Sequence, residues 1–374
     1  MQAKAAFRPI NRDRQSTPSK MTSRLKIPLR TGPGWKEVAP RPTPWRIAWE
    51  GDGRIQIAPT SFETTMNAGP TGAVEAPLAY DAESDSLFRY YCPSLDERNA
   101  TNALLRIDPH SGRREHWFTL HPLRTLPWLL AKVPNHPLLI ALVVTDTTRP
   151  DRPGIVLQHQ LGLFHLAKRN SVFRNLPAGC QHPIAAAPES DRLLFHGPDG
   201  FQIVNLKGKR QLLLSSSIWG KGHGGGAFHP RQPSFAIGGL NLSLYEPSTR
   251  QHKDLVAGGC FPSWHPSGET LFCATSSSDL WCIRPDTMEK QEIVSIPANR
   301  YPELKRARPV EFSPDGRYFA LPITRRAPFH AETVQADQPA WSERQCLLIG
   351  DLNRQEIWQN PSPVSHCTWA GRSR

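Results

Sequence analysis

The chain has 374 residues, of which 38% are hydrophobic and 21% charged, with 45 Lys and Arg, 33 Asp and Glu, and 37 Pro. This apolar share suffices for a hydrophobic core and excludes a wholly disordered chain. Proline is about twice its usual share of ~5%, which argues against a helical bundle because proline breaks helix interiors.

The N-terminal segment carries most of the net charge of +12. Residues 1–46 contain eleven Lys and Arg and two Asp and Glu, a balance of +9, together with seven Pro and few large apolar side chains. We therefore predict a disordered basic arm over residues 1–44. Such an arm either contacts nucleic acid, an acidic protein or an anionic membrane surface, or serves only solubility. No aromatic residues interleave the basic ones as in nucleic-acid binders, which favours the solubility role.

The cysteines and the apolar runs bear on cellular location. The seven cysteines are odd in number and form no C-x-x-C motif. They predict neither a disulfide framework nor a thiolate zinc site, and a reducing, cytoplasmic compartment fits best. No secretory signal is evident, and the longest apolar run, residues 137–144, is too short to span a membrane.

A hairpin pattern comes next, with two short strands over residues 45–57 joined through Gly51-Asp52-Gly53. From residue 78 onward the chain repeats a unit of four short apolar strands separated by polar turns. The first turn of the best copies contains Pro188, Pro230, Pro266 or Pro314, at steps of 42, 36 and 48 residues. Four short strands repeated at about 40–50 residues predict the blades of a β-propeller.

The two ends of the repeat predict how the ring closes. The chain stops after the first strand of a seventh unit, at residues 366–371. The hairpin at residues 45–57 has no unit of its own, so we expect it to supply further strands of the last blade. The sequence thus predicts an all-β fold, a single monomeric propeller over residues 45–374, with seven blades and the last one closed by the N-terminal hairpin.

Two copies carry a family resemblance. Residues 312–320 (FSPDGRYFA) and 264–272 (WHPSGETLF) resemble the WD40-like repeat of TolB-like propeller proteins, and the resemblance covers residues 74–371. It implies a propeller fold. It does not decide function, because that family includes scaffolds, binding proteins and propeller domains of enzymes.

Candidate site residues lie where the first strand of each unit begins, at a mouth of the central channel. His182 and Arg308 occupy equivalent positions there, and His223 and His366 lie one place to either side. Three histidines that converge on one channel are a plausible metal set; alternatively, they line a water-filled channel and bond to backbone groups. His182-Pro183 and residues 191–198 (DRLLFHGP) also faintly resemble a segment of oligogalacturonate lyases, and this resemblance implies a manganese ion held by channel histidines. In a metal site of this kind, Arg308 is a candidate for binding the acid group of a substrate.

Two further features point to turns and to a partner. His229 and His265 precede the turn prolines and are predicted to cap those turns. An insertion, residues 324–343, separates the second and third strands of its unit and contains Arg325, Arg326, His330 and Trp341. Long insertions in repeat proteins often bind partners, so these four residues are partner-binding candidates.

The leading prediction is a non-catalytic scaffolding module, without a cofactor, that presents its loops and basic arm to a protein or other acidic partner. The alternative is a metal-dependent carbohydrate lyase or hydrolase, with a divalent metal such as Mn held by His182, His223 and His366. A third hypothesis is nucleic-acid binding through residues 1–46. Metal content, and the salt dependence of binding, would distinguish these readings.

Overall fold

The computed structural model describes residues 27–70, 78–91, 102–120, 126–132, 138–146, 157–178, 180, 182–187, 191–197, 199–215, 225–258, 260–275, 279–295, 304–306, 309–328, 341–362 and 364–372. Within these ranges the secondary structure is β-strand and turn, with no helix. The predicted all-β propeller class is confirmed.

The N-terminal part contributes five strands. They are β1 (Arg30–Thr31), β2 (Lys36–Glu37), β3 (Trp45–Gly51), β4 (Arg54–Pro59) and β5 (Met66–Pro70).

The repeated units follow, and each is an antiparallel meander whose strands pair in chain order. Sheet 1 contains β6 (Leu78–Asp81), β7 (Ser86–Tyr91), β8 (Asn102–Ile107) and β9 (Arg114–Leu120), and sheet 2 contains β10 (Leu126–Lys132), β11 (Leu138–Asp146), β12 (Leu157–His165) and β13 (Asn170–Asn175). Sheet 3 contains β14 (His182–Ala186), β15 (Arg192–Gly197), β16 (Gly200–Asn205) and β17 (Arg210–Ser215). Sheet 4 contains β18 (Gly226–Phe228), β19 (Phe235–Gly238), β20 (Asn241–Glu246) and β21 (Gln251–Ala257).

Sheet 5 contains β22 (Cys260–Trp264), β23 (Leu271–Thr275), β24 (Leu280–Arg284) and β25 (Glu289–Ser295). Sheet 6 contains β26 (Leu304–Arg306), β27 (Glu311–Phe312), β28 (Tyr318–Pro328), β29 (Trp341–Asp351) and β30 (Glu356–Asn360). The last strand, β31 (His366–Arg372), belongs to sheet 7, whose order is β31-β3-β4-β5.

These sheets close into a ring around a central channel. Separate hydrophobic clusters fill the gaps between sheets 1 and 2, 2 and 3, 3 and 4, 4 and 5, 5 and 6, 6 and 7, and 7 and 1. Each sheet therefore buries both faces against its neighbours, as the propeller architecture requires. The predicted closure is confirmed, because the N-terminal strand β3 pairs antiparallel with the C-terminal strand β31, with Trp49 opposite Cys367.

His229 and His265 cap their turns and also form hydrogen bonds to the neighbouring sheet. His229 Nδ1 accepts the backbone N–H groups of Arg231 and Gln232, so Nε2 carries the proton and donates to the carbonyl of Gly268 in the next sheet, at 2.9 Å. His265 repeats the arrangement with the carbonyl of Gly316, at 2.8 Å. Both glycines have positive φ, near 79° and 72°, which brings their carbonyls within reach. The predicted capping role is confirmed, and each histidine also links two sheets.

Residues 27–44, which the sequence assigns to the arm, lie on the outside of the ring. Strand β1 adds antiparallel to β25 and β2 adds parallel to β30. Ile27 and Trp35 are buried, at 1% and 7% exposure, in the cluster between sheets 5 and 6. These two buried side chains are enough to hold this proline-rich segment against the ring, because the outer edges of β25 and β30 also offer backbone groups with which it pairs. Residues 1–26 lie outside the described residues.

The cysteines differ from expectation at one position. Cys180, Cys282, Cys346 and Cys367 are free, but Cys273 is disulfide-bonded. Cysteine spacing gives no sign of this bond because disulfide partners meet through the tertiary fold. The cytoplasmic location stays a prediction. No helix in the described part of the chain is long and apolar enough to cross a membrane.

Candidate functional site

We define the upper face as the end of the ring at which the first strand of each sheet begins. Because successive strands are antiparallel, the connections between second and third strands lie there too, and the other turns lie on the lower face. His182 begins β14 of sheet 3 and His366 begins β31 of sheet 7, so both strands begin at the upper face. Three steps of the ring separate those sheets, which places the two strand starts on opposite sides of the channel.

The rest of the proposed histidine set cannot be placed, since His223 and Arg308 lie outside the described residues. Within the described ranges, His, Cys, Asp and Glu side chains form no group of three that could hold a metal ion. The metal set therefore stays a prediction.

A buried ion pair lies at the upper face where the ring closes. Arg89 of β7 donates from Nη2 to Glu50 Oε1 of β3 at 2.9 Å, and the two side chains are 0% and 4% exposed. Arg89 also donates to the carbonyl of Tyr90 at 2.7 Å. Glu50 is the register partner of His366, and its carbonyl accepts the N–H of Ser365 at 2.9 Å. The pair therefore joins sheets 7 and 1 immediately beside the channel mouth.

Sheet 6 extends beyond the ring on the upper face. Strands β28 and β29 have 11 residues each, and β26 pairs with the far part of β28. The predicted insertion thus begins and ends as strand, up to Pro328 and again from Trp341, which is the register partner of Pro328. We call the part formed by residues 304–306, 324–328 and 341–345 the projecting sheet.

The partner-binding candidates are divided by this pairing. Arg325 lies opposite Lys305 on one side and Arg344 on the other, whereas Arg326 lies opposite Leu304 and Glu343. Consecutive residues of a strand belong to opposite faces, so Arg325 and Arg326 are on different faces of the projecting sheet. His330 lies outside the described residues.

The channel wall contains a carboxylate that the sequence analysis did not single out. Glu311 lies on the first-strand segment β27 and is exposed, yet burial raises its pKa to about 7. Both properties fit a side chain that touches water inside a narrow channel while protein surrounds it. The carboxylate of Glu311 has no hydrogen-bond or ion-pair partner within the described part of the chain. Burial, and then the charge of Glu311, raise the pKa of the nearby Cys367 thiol.

A cleft of about 550 Å³ opens on the lower face of sheet 1. Asp85 lines this cleft; it accepts a hydrogen bond from Tyr80 Oη at 2.8 Å and pairs with His110 Nε2 at 2.8 Å. Burial, followed by the bond to Asp85, raises the pKa of Tyr80. Arg106, at the rim, donates to Ser86 Oγ at 2.8 Å. These polar groups satisfy one another, which indicates a structural role at the seam with sheet 7.

Sequence reasoning missed the Glu50–Arg89 ion pair, the register positions of Lys305 and Arg344, and Glu311. The ion pair and the two register positions could not be found, because only strand pairing brings these residues opposite or next to their neighbours. Glu311 precedes the Phe312-Ser313-Pro314 turn signal, and that position relative to the turn could have marked it as a channel residue.

Comparisons with known proteins agree with the fold. No protein-family model matches the chain, and no curated protein matches it. Among solved structures, the chain is similar to TolB from Acinetobacter baumannii, with 14% identity and a TM-score of 0.43 over 67% of this chain and 64% of TolB, so it spans less than two thirds of that protein. It is also similar to NirN, a dihydro-heme d1 dehydrogenase solved in complex with DHE, with 14% identity and a TM-score of 0.52 over 88% of this chain and 67% of NirN.

Proposed function

We propose that this propeller is a non-catalytic binding module that engages a protein partner on its upper face. The observation that carries the proposal is the projecting sheet. Its long strands β28 and β29 reach 11 residues, compared with nine or fewer in the other described strands. Insertions that rise from one face of a repeat ring are where such proteins usually contact partners.

The base of the projecting sheet is rigid. Ile323 of β28 and Cys346 of β29 are 1% and 0% exposed, and both pack in the cluster between sheets 5 and 6. The residues above them continue the same hydrogen-bonded ladder. A binding surface on such a support loses little conformational entropy when a partner docks.

The basic arm joins the ring close to this surface. Ile27 exchanges two hydrogen bonds, each of 3.0 Å, with the side chain of Gln359 near the upper end of β30 in sheet 6. Residues 1–26, which contain seven Lys and Arg against one Asp, are attached at that point. The arm and the projecting sheet therefore start from one region of the upper face, which supports their joint use.

Catalysis by the same fold is the alternative. NirN shows that a similar ring occurs in a dehydrogenase, but a likeness at 14% identity extends to the fold alone. The metal-dependent carbohydrate lyase or hydrolase is supported only by His182 and His366 beginning first strands at one mouth. Metal analysis of the purified chain tests that alternative directly.

The binding proposal is tested by cross-linking the full chain to proteins in an extract of its source cells and mapping the cross-links by mass spectrometry. We expect cross-links on residues 324–345, and their loss in a variant whose residues 324–343 are replaced by a four-residue turn. A control variant, Lys207→Ala with Lys209→Ala, changes exposed residues on the lower face and should keep them. Equal capture by the shortened variant, with an unchanged circular dichroism spectrum, would refute the proposal.

A further inference from the structure

The outer edge of sheet 2 differs from the other outer edges of the ring. A β-bulge interrupts the pairing of the outermost ring strand in sheets 1, 3, 4, 5 and 7, and a bulge twists an edge away from further pairing. Strand β30 of sheet 6 pairs without a bulge, and β2 covers its edge. Strand β13 of sheet 2 also pairs without a bulge, over six successive residue pairs with β12, and within the described part of the chain no strand covers it.

The side chains of β13 make this edge apolar as well as regular. All six residues of the strand are exposed. Val172 and Phe173, at 40% and 41% exposure, are two of the three large apolar side chains that are exposed among the described residues. The Phe173 ring lies edge-on against the buried ring of Phe164, with centroids 6.0 Å apart, so it is held in place while its outer part faces water. A regular, exposed, apolar edge is a template for pairing with another strand.

The N-terminal segment shows what covers such edges on this ring. Strands β1 and β2 each pair through only two residues, with β25 and β30. Between them the N–H of Gly32 donates to the carbonyl of Ile293 at 3.0 Å. The ring of Trp35 is buried beside them and contacts Phe319 edge-on, with centroids 6.1 Å apart. A short extended segment with a large apolar anchor therefore suffices to cover two edges.

The charge around β13 indicates the chemistry of its occupant. Residues 166–175 contain Lys168, Arg169 and Arg174 and no acid. Arg169 is paired with Glu115 of sheet 1 at 3.1 Å. Lys168 and Arg174 are exposed, and their side chains form no ion pair within the described part of the chain. Because opposite charges on adjacent strands stabilise their pairing, this edge favours an acidic strand.

Two occupants from the chain itself fit this charge less well. A second copy would bring the same three cations and a net charge of +12 to the edge. Residues 1–26 carry seven Lys and Arg against one Asp. Both would add positive charge where positive charge is already in excess.

We propose that β13 is a docking edge to which an extended, acidic and apolar segment of a protein partner adds as a fifth strand. Val172 and Arg174 share one face of sheet 2, and Phe173 belongs to the other. The partner segment therefore carries an acid opposite Arg174 and apolar side chains opposite Val172 and Phe173, while its backbone pairs with the edge. This interface goes beyond the proposed function, because sheet 2 is three steps of the ring away from the projecting sheet.

The probe for the test is a fluorescent peptide that contains Thr-Glu-Tyr-Val-Thr-Thr between Gly-Ser flanks, and its binding to the full chain is measured by anisotropy at ~0.1 M salt. In antiparallel pairing its Glu lies opposite Arg174, and its Tyr and Val lie opposite Phe173 and Val172. We expect binding, and slower amide hydrogen exchange at residues 170–175 in the complex. Absence of binding at about 1 mM peptide, or protection confined to other strands, would overturn the proposal.

A charge swap tests the predicted register. Arg174→Glu should weaken binding of this peptide about tenfold, and a peptide with Lys in place of Glu should restore binding to within about threefold of the original pair. The control Lys290→Glu makes the same charge change at an exposed residue of the outer strand β25 and should alter binding less than about twofold. Equal losses in the two variants, or no recovery with the Lys peptide, would count against the proposed edge.

The apolar contact has its own matched control. Phe173→Thr should weaken binding about fivefold, whereas Leu240→Thr, at a side chain that is 72% exposed on the upper face, should leave it unchanged. The variant shortened at residues 324–343 should bind the peptide like the wild type, and loss of binding there would place the peptide on the projecting sheet and refute the β13 edge. Sedimentation gives the last outcome: a concentration-dependent dimer that Phe173→Thr abolishes would overturn the proposal in favour of a second copy.

Discussion

The buried ion pair at the seam between sheets 7 and 1 gives a sharp test of how the ring is closed. Glu50 Oε1 and Arg89 Nη2 are 2.9 Å apart, and both side chains are almost wholly inaccessible to water. At that distance and an effective dielectric constant of about 20, their Coulomb attraction is about 6 kcal/mol. The desolvation of two ions offsets most of this attraction, so the net contribution of the intact pair is small.

Removal of one partner has a much larger effect, because it leaves an uncompensated buried charge. Arg89→Met should lower the free energy of unfolding by about 3–5 kcal/mol, and Glu50→Met by a similar amount. The double variant should lose far less than the sum, since two apolar side chains replace the pair. Urea unfolding of the wild type, both single variants and the double variant forms the required cycle.

An exposed pair of the same length is the matched control. Arg284 Nη1 and Glu289 Oε2 are 3.0 Å apart in sheet 5, but the side chains are 63% and 68% exposed. Arg284→Met should cost less than about 1 kcal/mol. The reasoning is refuted if Arg89→Met lowers the free energy of unfolding no more than Arg284→Met does. It is refuted equally if the double variant loses the sum of the two single losses, because burial would then not determine the energetic role of the Glu50–Arg89 pair.

Two further predictions concern pH. Burial raises the folded-state pKa of Glu311 to about 7, above its ordinary 4.5, so its contribution to stability is complete below pH 4.5 and is lost as the pH rises through 7. Glu311→Gln should therefore raise the urea midpoint relative to the wild type at pH 8 and leave it unchanged at pH 4. An equal shift at both pH values would contradict this prediction. Burial lowers the pKa of His229 despite its bond to Gly268, so the stability that depends on neutral His229 is complete above pH 6.5 and is lost as the pH falls towards the folded pKa. His229→Ser, the residue type at the equivalent position 313, should cost about 1–2 kcal/mol at pH 8 and flatten the decline in midpoint between pH 7 and pH 5; a variant with the wild-type pH profile would count against the neutral inter-sheet bond.

The sequence predicted the fold well where the signal repeats. The Pro-containing turns before β23 and β28 recur in neighbouring units, and the leftover hairpin at residues 45–57 predicted the pairing of β3 with β31, which is observed. The two-residue strands β1 and β2 could not be predicted, because a segment that short has no period and its pairing depends on the exposed edges of β25 and β30.

The site was predicted less completely, for the same reason. The insertion marked Arg325 and Arg326 together, but their assignment to opposite faces depends on the strand register. Lys305 and Arg344 gave no signal, since their register positions opposite Arg325 depend on strand pairing and not on one local stretch of sequence. The histidine set rested on positions at the channel mouth, and strand starts three sheets apart do not by themselves bring side chains together.

Polar side chains join neighbouring sheets at both ends of the ring. On the lower face, His229 and His265 each bond to the next sheet, and Trp45 Nε1 donates to Asp315 Oδ2 at 2.8 Å across the junction of sheets 7 and 6. Those groups hold the ring together and satisfy one another. On the upper face, the buried pair of Glu50 and Arg89 joins sheets 7 and 1, with Oε1 and Nη2 2.9 Å apart. Because the polar contacts at both ends lie between sheets, each one depends on the closed ring, and opening any seam would leave buried polar groups without their partners.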